Sequence, residues 1–164
     1  MTSENLEIRH ARVSDVEAIL ALERATDHAP HWPQTVYADM LDTGNARRCL
    51  IVAQVGELIA GFAVGVIQPA SYDSASSIAE LESVAVAANA RRAGIGRALC
   101  EVVIDWCRNR GATEMALEVR ASSSGAISLY LGLGFEQIGR RPHYYRDPED
   151  DAIHLRRKLV TAKT

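Results

Sequence analysis

The chain has 164 residues, 48% of them hydrophobic and 24% charged, with a formal net charge of −3. That size suits one domain around one core, and the mildly acidic balance excludes the electrostatic footprint of a general nucleic-acid binder. The opening MTSENLEIRH has no apolar signal core, and no apolar run reaches the length of a membrane span, so a cytoplasmic, thiol-reducing setting is expected.

"LEIRHAR" alternates as a first strand does. Ser14 is expected to cap the helix "SDVEAILALERAT", with Glu17 three residues on and Val16, Ile19, Leu20 and Leu22 as its apolar stripe. Pro33 in "HAPHWPQTVYADML" opens a short second helix. "CLIVAQVGELIAGFAVGVI" predicts two strands joined in a hairpin at Val55–Gly56–Glu57. After the polar loop "QPASYDSASS", "IAELESVAVA" is a third strong strand, followed by a helix from about Gly94 to Asn109 closed by Gly111. "EMALEVRA" is a strand, "SSSGAISLYLGLG" a short helix, and "FEQIGRRPHYY" and "DDAIHLRRKL" are two closing strands. The order β-α-α-β-β-β-α-β-α-β-β predicts an α/β (α+β) fold with a mixed seven-stranded sheet, four helices and one central β-α-β unit.

Cys49, Cys100 and Cys107 show no metal-type spacing, and two of them lie two helical turns apart on one helix, so all three are expected as core thiols. His28-x-x-His31 lacks further ligands at sensible spacing and sits between prolines, so no metal site is expected. His10, His143 and His154 stand singly on strands, where position alone assigns no catalytic role.

"RRAGIGRALCEVV", residues 91–103, is a glycine turn feeding a helix. A nucleotide P-loop needs Gly-Lys-Ser/Thr, and the dinucleotide fingerprint needs a third glycine; this segment has neither. An anion is still the expected ligand. Free amides and the helix dipole meet at the turn, glycines let the backbone approach closely, and Arg91, Arg92 and Arg97 add charge. The spacing alone equally allows an ordinary glycine turn with solvated arginines.

"SVAV" followed by R-x-x-G-x-G at the head of a long helix resembles the acetyl-CoA motif of the GNAT N-acetyltransferases. The resemblance implies a single acetyltransferase domain over residues 4–160, with a mostly antiparallel sheet. It also implies acetyl-CoA as co-substrate, with Val84, Ala85 and Val86 at the acetyl-pantetheine arm and Arg91, Arg92, Ala93, Gly94, Ile95 and Gly96 at the pyrophosphate. "HWPQTVYADML", "ALEVRASSSGAISLYLGLGFEQIGRRPHYY" and "DPEDDAIHLRRKL" extend the likeness to the RimI-type alanine N-terminal acetyltransferases that modify ribosomal proteins. Such a resemblance implies a protein N-terminus as acceptor, with no nucleic acid or membrane partner.

Amine acetylation needs a neutral nitrogen. At pH 7 roughly a tenth of α-amines are neutral, against well under a thousandth of lysines, from ordinary values near 7.7–8.0 and 10.4. The alternation of "MALEVR" puts Ala116, Glu118 and Arg120 on one face, leaving Glu118 either cleft-facing or solvent-facing; the resemblance implies the general base. Tyr130 shares a helical face with Ala126 and Ile127, as a core tyrosine would, and the resemblance implies the acid that protonates the departing thiolate. The resemblance also implies a rival base site at Glu80 and Glu82, on the strand before the turn; Glu82 could instead hold the incoming cation, and both could simply face solvent. Ser123 stands where the RimI-type pattern commonly has asparagine, which shortens its reach toward a CoA oxygen. The 68–77 loop is expected to border the acceptor groove, and Tyr144 and Tyr145 to wall it near the opposite lip. The expected activity is acetyl transfer to an N-terminal α-amine, an N-terminal alanine of a ribosomal protein by resemblance. A lysine or small-amine acetyltransferase and a non-catalytic acyl-CoA-binding module remain the alternatives.

Overall fold

A computed structural model describes residues 5–26, 32–41, 47–68, 77–91 and 93–159. The strands are β1 (Leu6–His10), β2 (Arg48–Val55), β3 (Leu58–Ile67), β4 (Ser77–Val86), β5 (Ala112–Arg120), β6 (Glu136–Tyr145) and β7 (Asp150–Lys158). The helices are α1 (Val16–Ala25), α2 (Gln34–Met40), α3 (Ile95–Asn109) and α4 (Ser124–Gly132), with 3-10 turns at Val13–Asp15 and Ala88–Ala90. The element order is the expected one. The strands make one mixed seven-stranded sheet in the order β1-β2-β3-β4-β5-β7-β6, in which β4 and β5 run parallel. Contacts divide the chain into two units, Met1–Val66 with Leu81–Cys107, and Ile67–Glu80 with Arg108–Thr164.

In the first unit, β1, β2 and β3 pair antiparallel, and the alternation of β3 decides what each face can hold. Phe62 and Val64 join Leu50 and Val52 in a core with Val16, Ile19, Leu20, Tyr37 and Met40 from α1 and α2. The intervening Gly61 and Gly65 take α3 at close range. A Cβ on Gly65 would stand 2.5 Å from Val103, and one on Gly61 would stand 2.9 Å from the Ala85 carbonyl and 3.1 Å from Leu99. Small residues on that stripe let the apolar face of α3, with Ile95, Leu99, Cys100, Val103, Ile104 and Cys107 buried, close on the strand.

The first helix corrects the expected cap. Ser14 lies inside the 3-10 turn, and α1 begins after Asp15. The Asp15 carboxylate accepts the Arg12 backbone N–H at 2.7 Å and the Arg9 guanidinium at 2.8 and 3.0 Å. A carboxylate beside an arginine outcompetes a neutral hydroxyl for those donors. Gln54 Oε1 accepts from the same guanidinium at 2.8 and 3.0 Å, tying β1 to β2. The three cysteines are free and buried, as expected.

In the second unit, β5 pairs antiparallel with β7, and β7 with β6, while residues 77–80 run parallel to β5. Met115, Leu117 and Val119 are buried, and Ala116, Glu118 and Arg120 share the less buried face. Tyr130 of α4 is buried and meets Phe135 edge to face at 6.0 Å between ring centres. His28, His31, Arg92 and most of the 68–77 loop lie outside the described residues.

Candidate active site

Strand β4 buries Ala79, Leu81, Ser83 and Ala85 and turns Glu80, Glu82, Val84 and Val86 to the other face. Its parallel ladder with β5 has its last pair at Glu80↔Ala116, so Val84, Ala85 and Val86 lie beyond it. The chain then reaches the turn ahead of α3. Arg91 Nε donates to the Val86 carbonyl at 3.3 Å, folding the arginine back along the turn. Ala93 and Gly94 are exposed, and Gly94 has φ +78 with no atom within 4 Å of a built Cβ. The first helical bond of α3 runs from the Ala98 N–H to the Gly94 carbonyl at 3.0 Å. The amides of Ile95, Gly96 and Arg97 therefore precede the intrahelical ladder and face outward along the axis. An exposed arginine, an open left-handed glycine and helix-end amides fit the pyrophosphate of CoA. Arg97 pairs with Glu101 at 3.0 Å on the exposed side of the same helix.

Glu82 is occupied. Arg48 Nη2 donates to its Oε1 at 3.0 Å, while Oε2 is buried with no hydrogen-bond partner among the described residues. Burial pushes the Cys100 thiol up to about 12, which keeps it protonated and inert as a nucleophile.

In the second unit, a pocket of about 220 Å³ opens on the Glu118 face, lined by Gln68, Glu80, Ala116, Glu118, His154 and Arg156 among others. The Glu118 side chain is 25% exposed, and Arg141 Nη1 approaches its Oε1 at 3.8 Å. Glu80 accepts from Gln68 Nε2 at 3.1 Å, and Arg156 lies 3.4 Å from Glu114. Tyr145 is near this carboxylate, because its own burial and then the charge of Glu118 push its phenol above the ordinary tyrosine range. Arg120 stacks over the Tyr145 ring at 4.4 Å, and Tyr144 packs against Tyr145 at 5.0 Å. Ser123 precedes α4 and makes no side-chain cap bond.

Of the residues the sequence singled out, Glu80 and Glu118 line this pocket, and Gln68, His154 and Arg156 join them. The place of His154 opposite Glu118 depends on which strand pairs with β5. Among the described residues there is no cluster of three or more His, Cys, Asp or Glu that could hold a metal ion, and no helix is long and apolar enough to cross a membrane.

Comparison with known proteins identifies the family of the chain. The profile of the acetyltransferase (GNAT) family matches residues 16–135. An N-alpha-acetyltransferase of Sulfurisphaera tokodaii is 34% identical over 153 residues, covering 87% of each chain. The [ribosomal protein bS18]-alanine N-acetyltransferase of Escherichia coli is 46% identical over 77 residues, which cover 46% of this chain and 52% of that protein. The crystal structure of the E. coli ribosomal-protein-S18-alanine N-acetyltransferase superposes with a TM-score of 0.77 and 32% identity, covering 97% of both chains. The chain spans only 38% of an uncharacterized Mycobacterium leprae protein, to which it is 31% identical over 150 residues.

Proposed function

This chain belongs to the GNAT family of acetyltransferases, and we propose that it acetylates the N-terminal α-amine of a protein, with residues 4–160 working as one catalytic domain. The observation that carries the reading is the pocket on the β5 face, where Glu118 is half-buried beside Glu80 and His154. The likeness to an N-alpha-acetyltransferase over 87% of each chain supports the acceptor class. The bS18-alanine enzyme of E. coli makes an N-terminal alanine of a ribosomal protein the first acceptor to test.

Acetyl-CoA, the co-substrate of the family, supplies an activated thioester. The main chain of Val84, Ala85 and Val86 would hold its pantetheine arm, and Arg91, Arg92, Ala93, Gly94, Ile95 and Gly96 would hold its pyrophosphate. Ser123 offers a hydroxyl to the cofactor at the head of α4. Glu118 draws a proton from the acceptor amine, directly or through a water, and its pocket orients that amine. Tyr130 gives a proton to the departing thiolate: a phenol near 10 can serve a thiol near 8.5 at modest cost. Tyr144 and Tyr145 wall the acceptor's path.

The test is a mass-spectrometric assay with acetyl-CoA and two peptides, one with a free N-terminal alanine and no lysine, the other blocked and carrying one lysine. Acetylation of the first alone is expected. Acetylation of the second alone replaces this reading with a lysine acetyltransferase, and tight CoA binding without turnover on either replaces it with a non-catalytic acyl-CoA module.

A further inference from the structure

Glu118 of β5 and His154 of β7 are register partners in the antiparallel ladder. Side chains of such partners share one face of the sheet, with Cβ atoms about 4.5–5.5 Å apart. Both line the same pocket. On the far side of β7, β6 sets Gly139 opposite His154. A Cβ there would meet only the His154 Cβ, at 3.8 Å, among the described residues.

The charged groups that line the pocket with His154 are Glu80 from β4, Glu118 from β5 and Arg156 on its own strand, and Arg141 of β6 stands 3.8 Å from Glu118. A guanidinium has no lone pair to take a proton, whereas a neutral imidazole nitrogen and a carboxylate oxygen both have one.

The reaction itself calls for two acceptors. An ammonium carries three protons on nitrogen, and the amide it becomes carries one. We propose that His154 is a second proton acceptor for the incoming amine, sharing the pocket with Glu118; this rests on the α-amine reading above. The ammonium gives one proton to the imidazole. The freed lone pair forms the N–C bond to the acetyl carbon as the C–S bond breaks, and the nitrogen's second proton goes to Glu118. The departing thiolate takes the Tyr130 proton. Solvent restores Tyr130 and clears His154 and Glu118, so each turnover releases one proton net.

The experiment is the pH dependence of kcat/KM on the lysine-free alanine peptide for the wild type, His154→Gln and Glu118→Gln, together with acetyl-CoA affinity. His154→Gln is expected to bind acetyl-CoA within about twofold of wild type, to lose roughly tenfold in kcat/KM, and to change the shape of the pH profile. Should the glutamine variant melt early, His154→Asn is read in the same way. Wild-type rate with an unchanged profile overturns the proposal, as does a uniform loss that leaves the shape of the profile in place, which marks a packing residue. A dead Glu118→Gln beside an unaffected His154→Gln sinks this proposal alone. A wild-type enzyme that leaves the alanine peptide unmodified overturns the α-amine reading and this proposal together.

Discussion

Arg48 on β2 holds Glu82 on β4 by a hydrogen bond of 3.0 Å, and the second Glu82 oxygen is buried without a partner among the described residues. Glu118 has a looser neighbour, Arg141 at 3.8 Å, and lines an open pocket. That contrast makes Glu118 the carboxylate to test first as the base, ahead of Glu82.

Glu118→Gln should leave acetyl-CoA binding near normal and cut turnover by roughly a hundredfold or more, the scale of losing a general base. Glu82→Gln should cost much less turnover but lower stability by about 1 kcal/mol through the weakened Arg48 contact. Steady-state kinetics, calorimetric CoA titration and urea melts separate the two. A larger turnover loss in Glu82→Gln would transfer the base role to it.

Tyr130→Phe keeps the ring that packs on Phe135 and removes only the hydroxyl. Turnover at saturating acetyl-CoA should fall by roughly tenfold to a hundredfold, with the melting temperature shifted by only a few degrees. Unchanged turnover in a stopped-flow thiol-release assay would leave Tyr130 a packing residue.

Gly94 and Gly61 separate cofactor binding from folding. Gly94 has φ +78 and open space around it, so Gly94→Ala costs roughly 1–2 kcal/mol of backbone strain without a clash. Acetyl-CoA affinity should weaken several-fold while the core holds. Gly61→Ala instead forces a Cβ to 2.9 Å from the Ala85 carbonyl, and its overpacking should lower stability by roughly 1–3 kcal/mol. Paired CoA titrations and chemical denaturation test both, and a Gly94→Ala protein with native affinity would remove the turn from the cofactor site.

The Arg9 guanidinium, by hydrogen bond and then charge, holds the Asp15 carboxyl below its ordinary range against the opposing effect of burial, and the Arg12 backbone N–H adds to it. A depressed folded value means that the stabilisation is in full force above the ordinary carboxyl range, near pH 4, and fades as pH falls through the folded value. Asp15→Asn should therefore cost roughly 1–3 kcal/mol at pH 7, where both partners are largely buried, and the gap to wild type should close in acid. Urea midpoints from pH 7 down to 3 read this; a gap that stays constant would exclude the ion pair as its source.

Much of this protein is written in local periodicity. The alternation of "MALEVR" placed Glu118 on the less buried face, the apolar stripe of "SDVEAILALERAT" marked the core side of α1, and glycine before an apolar run located the head of α3. These patterns are legible because a strand repeats every two residues and a helix every 3.6, whatever the rest of the chain does. The first cap was not legible. A Ser14 cap obeys the local rule, but Arg9, brought alongside by β1, draws Asp15 into the decisive bonds.

The amino-acid order by itself determined the elements, their sequence, the alternation along each, and a glycine turn with the look of an acetyltransferase. Only the tertiary structure decided which distant strands become neighbours. It slots β7, the last strand in sequence, between β5 and β6, and so sets His154 opposite Glu118. It also brings Arg48 to Glu82 across 34 residues of chain. Both outcomes depend on sheet order and register, which arise from the packing of segments far apart in sequence and leave no mark in the pattern of either segment alone.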